Sequence, residues 1–453
     1  MTSHNPASPD PSLFLLSLGC SKNTVDSERI LAHTAGSGIA VAETAEEADI
    51  ILINTCGFIL DAKEESINET LSAIELKKAG TVREVYVMGC LVELYRKELA
   101  EELPEVDGFF GTRELPEVLA AIGARYREEL ADERLLLTPG HYAWLKISEG
   151  CNRRCSFCSI PKIRGAYRSQ PVDQLLREAR LLREQGVREL NIIAQDISLY
   201  GYDLHGKSAL NELVLRLSDM EFEWIRLLYA YPMNFPMEVI DTMRERENIC
   251  NYLDMPLQHI NDRILRSMQR GVGRQETIRL VEGIRERNPD IRLRTTMIAG
   301  YPGETRAEFE ELLEFVRTTR FDRLGCFPYR HEEHAPSYSL EDTVGDEEKE
   351  ERVRELMELQ EGISAEKNRA FEGCMLRVVI DEVDGDTAFG RTQYDAPEVD
   401  NEAILDTAGT EVMPGDFVMA EIHDTTAYEL HGRIIEDQTP AGRFGQPQTA
   451  PIP

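Results

Sequence analysis

Three cysteines spaced C-x3-C-x2-C, namely Cys151, Cys155 and Cys158, form the sharpest chemical signal in the chain. The start, MTSHNPASPD, lacks the basic and apolar stretches of a signal peptide, and no apolar run reaches the length of a membrane span. Cytoplasmic residence is therefore expected, and in a reducing compartment grouped cysteines are metal ligands or reactive thiols. Thiolates are natural ligands for iron, and this spacing brings three sulfurs around one cubane. Three protein ligands leave one iron of a 4Fe-4S cluster open. An open coordination position is what catalysis needs, whereas an electron carrier normally closes with a fourth thiolate. A structural zinc site is the rival reading, disfavoured because no Cys or His near Cys158 completes a compact tetrahedral set.

Cys20, Cys56 and Cys90 look scattered, yet each closely follows a strand-like run, in the strings LGC, NTC and MGC. Their spacings of 36 and 34 residues are one strand–helix repeat each. In an open parallel sheet the loops after the strands share one edge, so dispersion in sequence becomes proximity in space. Gly19 and Gly89 permit close backbone approach beside the ligands. This second open-iron set reads as a sulfur-handling or substrate-binding cluster, with a redox relay as the alternative. Cys250, Cys326 and Cys374 have no such neighbours and are expected to be packed core thiols.

The fold class expected to hold these residues is α/β, in three domains between two tails. Residues 1–11 form a Pro/Ser-rich tail. Residues 12–125 alternate strand-like runs (13–18, 50–53, 85–88) with amphipathic stretches (26–35, 62–78, 92–103), which implies parallel strands with right-handed crossovers. A charged linker, 126–140, leads to residues 141–370. There six strand-like segments (143–147, 189–193, 224–229, 252–255, 292–298, 323–327) alternate with helical ones. That pattern predicts a partial (β/α)6 barrel with its active face at the strand C-termini. Residues 345–369 read as a solvated connecting helix. Short runs at 375–380, 387–390, 417–422 and 428–434 predict a small all-β barrel over 371–440, followed by a loose tail, 441–453.

Composition narrows the function. An apolar fraction of 42% in 453 residues excludes disorder over most of the length. The formal charge of -32 opposes non-specific binding to nucleic acid and suits a basic partner. Residues 371–440 carry three Arg, no Lys and 17 acids, a poor surface for a phosphate backbone. A local basic patch around Arg164 and Arg168 is the place where RNA contact would be expected. Neither a Ser–His–acid arrangement nor a P-loop is present, so hydrolase and NTPase readings lack a chemical core.

The C-x3-C-x2-C run after the first strand of a partial barrel resembles the radical S-adenosylmethionine (SAM) superfamily. That resemblance implies an open iron that takes the amino and carboxylate groups of SAM, and electron donation that cleaves it to a 5′-deoxyadenosyl radical. Across residues 13–433 the strings LGCSKNTVDSE, NTCGFI, ISEGCNRRCSFCSIP, DMPLQHI, RTTMIAGYPGET and YDAPEVD are similar to the methylthiotransferase family. They resemble the branch that adds a β-methylthio group to an aspartate of ribosomal protein S12.

The resemblance implies two 4Fe-4S clusters, on Cys20, Cys56 and Cys90 and on Cys151, Cys155 and Cys158. One SAM methylates a sulfur species, and another yields the radical that abstracts hydrogen from the aspartate β carbon. It further implies an electron donor such as flavodoxin or ferredoxin, S12 as partner, alone or within the small ribosomal subunit, and a TRAM module as the C-terminal barrel. By the same resemblance SAM contacts fall on Gln195 and Asp196 after the second strand, Arg294 on the fifth, and Gly300 in the turn beyond it. The glycine has turn geometry as its alternative role. Phe157 resembles the usual aromatic between ligands, with local packing as its alternative. Gln258 and His259 are expected near the cavity, the histidine chiefly for structure or substrate support. The tRNA adenosine methylthiotransferases share the three-domain plan and form the alternative; a non-catalytic iron–sulfur protein acting on the ribosome is a further one.

Overall fold

Buried aliphatic runs flanked by helices set the first layer. The structure, a computed structural model, describes residues 11–435, so the expected tail 441–453 and residues 1–10 lie outside it. Strands β1 (Ser12–Ser17), β2 (Ala40–Val41), β3 (Ile50–Thr55), β4 (Glu84–Gly89) and β5 (Gly108–Phe110) form a parallel sheet in the order β2-β1-β3-β4-β5. Every residue of β3 is buried, as a central parallel strand covered on both faces requires. The edge strands β2 and β5 are too short to show a period, and sequence alone does not reveal them. Helices α1 (Ser21–Gly36), α2 (Leu60–Lys78) and α3 (Cys90–Glu102) start immediately after the strand-end loops.

The second sheet has six parallel strands: β6 (Tyr142–Lys146), β9 (Glu189–Ile193), β10 (Trp224–Leu227), β11 (Ile249–Asp254), β12 (Arg292–Ala299) and β13 (Arg323–Pro328). Their order β13-β12-β11-β10-β9-β6 places each strand beside its predecessor, which is the expected partial barrel. Between β6 and β9 a two-residue antiparallel ladder, β7 (Ser148–Glu149) with β8 (Arg168–Ser169), staples the loop that carries Cys151, Cys155 and Cys158. Strands β14 (Met375–Asp384), β15 (Thr387–Thr392), β16 (Glu402–Asp406), β17 (Phe417–Thr425) and β18 (Glu429–Ile435) close into the expected small barrel. Its core contains Val378, Ile380, Leu405, Ile422 and Leu430.

Three expectations change. The helix Asp346–Arg369 is not solvated all round. Lys349, Arg352, Leu356, Gln360 and Ile363 form a buried stripe, and Leu356 and Ile363 join the barrel core. Lys349 and Arg352 bury their stems while their charged ends reach Asp342 and Glu304. Cys374 is half-buried, unlike the buried Cys250 and Cys326. The linker 126–140 holds the fully buried Arg134, which joins Glu28 of α1 at 2.9 Å to Glu178 of the barrel's first helix at 2.9 Å.

The YDAPEVD string fastens the small barrel to the large one. Asp395 meets Arg323 at 2.6 Å, Glu398 accepts from the Tyr142 hydroxyl at 2.9 Å, and Asp400 accepts from the Tyr252 hydroxyl at 2.6 Å. Removing one partner of a buried pair strands the other charge, which costs ~3–5 kcal/mol. Asp395→Ala is therefore expected to lower the thermal unfolding midpoint by several degrees. Arg317→Ala, which breaks an exposed pair with Glu314, removes less than ~1 kcal/mol and leaves the midpoint nearly unmoved.

Candidate active site

Cys20, Cys56 and Cys90 follow β1, β3 and β4, three neighbours in one parallel sheet, and all three leave at the C-terminal edge. The register pairs Thr55 with Gly89, so Cys56 and Cys90 leave the sheet at one level. Close approach is enforced by glycine. A Cβ at Gly19, where φ is +93°, would lie 2.8 Å from Cys56 Cβ and 3.1 Å from its Sγ. A Cβ at Gly57 would collide with the Cys90–Leu91 backbone at 2.8–2.9 Å. Asn23, 1% exposed, pulls the loops together: its amide donates to the Leu18 carbonyl at 2.9 Å and the Thr55 carbonyl at 3.1 Å.

The second set lies on the loop stapled by β7 and β8. The Cys151 amide donates to the Gly165 carbonyl, and Gly150, with φ +74°, leaves no room for a side chain against Ala166. Cys155 Sγ stands 3.5 Å from the Tyr231 hydroxyl and 3.4 Å from an Arg270 guanidinium nitrogen. The guanidinium groups of Arg153 and Arg270 lie 4.1 and 4.2 Å from the Tyr231 ring centroid. Burial pushes the Cys151 thiol up to about 11 and the Cys90 and Cys158 thiols up to about 12. Ligation must therefore displace protons that these sulfurs otherwise keep. Among the described residues no three His, Cys, Asp or Glu side chains gather as a single-ion site. The donor chemistry and the glycine-cleared loops fit iron–sulfur clusters.

The two sets meet through Arg164, six residues after Cys158. Its guanidinium reaches Cys90 Sγ at 3.7 Å and Asp26 at 2.6 Å, and it also donates to the Asn23 side-chain carbonyl. Burial alone would raise the pKa of Asp26, but Lys146 and Arg164 bring it down to about 2. These groups border a cleft of about 370 Å³ between the first domain and the barrel, lined also by Arg29, Glu149 and Arg168. Arg164 is 2% exposed, so the expected basic patch for RNA loses its inner member, and only Arg168 stays exposed.

The remaining expected residues divide. Asp196 sits at the C-terminal end of β9, where its carboxylate pairs with Arg153 at 2.7 Å and accepts from the Ser198 amide at 2.8 Å. Burial raises its pKa, against the pull of Arg153 and Ser198. Gln195 beside it is half-buried and makes no side-chain hydrogen bond among the described residues. Arg294 is not brought to the cysteines. Its guanidinium is taken by Asp254 at 2.9 Å and Asp400 at 3.2 Å, which makes it a strut to the small barrel. Gly300 is buried, its amide donates to Glu304, and a Cβ there would strike Lys349 at 2.3 Å, so turn geometry and packing account for it. His259 is buried 3.7 Å from Glu304, a structural position. Phe157 packs against the cluster of Ile264, Met268, Tyr301 and Tyr329.

Sequence reasoning missed Arg153, Tyr231 and Arg270 around Cys155, and Lys22, Asn23 and Asp26 around the domain seam. The available signal was polar density in the first turns of α1, where Lys22 lies over the Tyr229 ring of the barrel and Val25 enters its core.

Comparison with known proteins agrees with this geometry. Residues 145–316 match the radical SAM superfamily, 12–111 the uncharacterized protein family UPF0004, and 373–435 the TRAM domain. The chain is 74% identical over 424 residues to the ribosomal protein uS12 methylthiotransferase RimO of Chlorobaculum tepidum, covering 94% of this chain and 98% of that one. It is 72% identical to the RimO of Chlorobaculum parvum, with 94% and 97% covered. Among solved structures it is similar to the radical SAM methyltransferase TsrM of Kitasatospora setae, with a TM-score of 0.55, 14% identity, and 72% and 74% of the two chains covered. At that identity the likeness carries the fold alone. With near-full-length relatives and the radical SAM barrel in agreement, the chain belongs to the ribosomal protein uS12 methylthiotransferase family of radical SAM enzymes.

Proposed function

We propose that this chain adds a methylthio group to the β carbon of an aspartate in ribosomal protein S12, using two 4Fe-4S clusters and SAM. Cys151, Cys155 and Cys158 hold the cluster that takes SAM, and Cys20, Cys56 and Cys90 hold the auxiliary one. The observation that carries this reading is Arg164, which leaves the loop of one cysteine set and touches Cys90 of the other. Two cysteine sets facing one seam suit a reaction that must bring a carbon radical and a methylated sulfur together. Bound there, the clusters and SAM supply hydrogen-atom abstraction from a carbon that is neither acidic nor electrophilic, together with the methylthio group.

The chain's own residues orient and shield. Arg270 and the Tyr231 hydroxyl meet Cys155, and Asp196 fixes Arg153 across the loop. Gln195, with its amide uncommitted, and Asp196 remain the SAM contacts we propose, while Arg294 and Gly300 have structural duties. Lys22 and Val25 of α1 reach into the barrel, so the first domain roofs its mouth and limits water. We propose domains over 12–125, 141–370 and 371–440, with the segment 126–140 as the clamp between the first two.

A protein substrate is favoured over tRNA by the small barrel. Asp381, Asp395 and Asp400 turn inward to arginines, but Glu382, Asp384, Asp386, Asp406 and Glu411 stay exposed. A cytoplasmic ribosome supports the same location for the enzyme, and no helix among the described residues is long and apolar enough to cross a membrane. The required electron would come from a small acidic redox protein such as flavodoxin or ferredoxin. Residues 150–172 carry five cations and no acid in a chain of charge -32, and Arg154 and Lys162 are exposed without an ion pair among the described residues.

Anaerobically reconstituted protein should hold about eight irons per chain. Cys151→Ala should halve that number and abolish SAM cleavage while the auxiliary cluster still assembles; wild-type cleavage would break this division of roles. In a competition reaction holding S12 and tRNA, mass spectrometry should find a gain of about 46 Da on an S12 aspartate, the replacement of H by SCH3. Methylthiolation of a tRNA base alone would overturn the substrate assignment. Arg154→Glu combined with Lys162→Glu should slow flavodoxin-driven SAM cleavage by about tenfold at low salt while the dithionite-driven rate stays near wild type. Equal slowing with both reductants would remove the loop from donor docking.

A further inference from the structure

Helix α2 is built inside out. Its buried face is Ser66, Thr70, Ala73 and Ile74, mostly small or hydroxylic, while Leu60, Ile67 and Leu71 are 51%, 37% and 44% exposed. Spacings of 7 and 11 are close to whole turns at about 3.6 residues per turn, so these three form one outward stripe. Phe58 and Ile59, 39% and 42% exposed, continue it to within two residues of Cys56. Single exposed aliphatics are ordinary, but a contiguous group beside a ligand loop marks an interaction surface. Asp61, Glu64, Glu65 and Glu69 flank the stripe, all exposed and without an ion pair among the described residues. Lys63, the cation within this run, is paired with Glu332 just beyond β13. Tyr95 of α3 meets His334 edge-on, 4.8 Å between centroids. Lys63, which also donates to the Tyr95 hydroxyl, holds the stripe at the rim where the first domain meets the segment after the last barrel strand.

We propose that this acid-flanked apolar stripe, Phe58 to Leu60 with Ile67 and Leu71, is the docking surface for the basic protein substrate; the proposal rests on the S12 reading above. Lys and Arg side chains present aliphatic stems and cationic ends together, and a stripe of leucine and isoleucine bordered by carboxylates receives both. A second copy of this chain would set carboxylate against carboxylate, and an RNA backbone would meet the same repulsion. Seated there, the substrate enters over the auxiliary cysteine loop, so its reacting residue reaches the seam between the two cysteine sets.

The test measures binding of fluorescently labelled S12 to the reconstituted holoenzyme by anisotropy, at two salt concentrations. Two variants are compared, Ile67→Arg with Leu71→Arg, and Glu64→Lys with Glu65→Lys and Glu69→Lys. All five side chains are exposed, so iron content and circular dichroism should match wild type and report intact folding. The apolar variant should weaken binding by about tenfold or more, as loss of central apolar contacts does. The charge-reversed variant should bind more weakly and lose most of the salt dependence. Wild-type affinity in both variants, with the wild-type enzyme binding and modifying S12, would overturn the docking surface and leave the S12 reading standing. A wild-type enzyme that neither binds nor modifies S12 would overturn both. Self-association of wild type that disappears in the Ile67→Arg, Leu71→Arg variant, seen by sedimentation, would assign the stripe to a second copy and overturn the proposal.

Discussion

Taking a guanidinium out of water costs several kcal/mol unless carboxylates and lone pairs meet it. Arg164 is 2% exposed, and its partners come from separate parts of the chain: Asp26 and Asn23 from α1, Glu149 from β7 and Cys90 from the first turn of α3. Lifting the first domain from the barrel would take Asp26, Asn23 and Cys90 away from that charge and leave it Glu149. Arg164 is thus one of the buried cations that hold the first domain against the barrel, and it does so beside Cys90 of one set and on the loop of the other.

The same device recurs at each junction. Arg134 joins the linker to both domains through Glu28 and Glu178, and Arg323 with Asp395 joins the two barrels. Glu189 in the large barrel receives Arg226 from its neighbour strand and Arg391 from the small barrel. Arginine suits this work because its planar fork meets two acceptors at once and keeps its charge when buried. A consequence follows for the surface. Arginines turned inward leave many exposed acids unopposed, whereas the loop from 150 to 172 carries cations and no acid.

That division of charge organises the chemistry spatially. In the proposed function, the cations of the cysteine loop receive the electron donor, and the acids of α2 and of the small barrel receive a basic protein. Burial raises the thiols of Cys56, Cys90, Cys151 and Cys158 and the carboxyl of Asp196, which pairs with Arg153 across the cysteine loop.

Local patterns carried much of this protein in the sequence itself. Strand alternation, repeat length and cysteine spacing depend on residues within a few turns of one another. Hence the six barrel strands, the parallel first sheet, the small β-barrel and the grouping of Cys20, Cys56 and Cys90 were all legible. Strands β2 and β5 were not, because two or three residues hold no period, and β16 is only five residues long. What tertiary structure alone decided was the partner of each charged side chain. Arg294 reads as open to SAM in the sequence, whereas in the fold Asp400, 106 residues away, lies against it. The helix Asp346–Arg369 reads as solvated in the sequence, whereas the stems of Lys349 and Arg352 are buried beneath paired heads. Arg134, in a stretch that reads as plain linker, sits between carboxylates 106 and 44 residues distant. The cost of burying a charge is settled by what lies opposite in space, and no local property of the sequence encodes that neighbour.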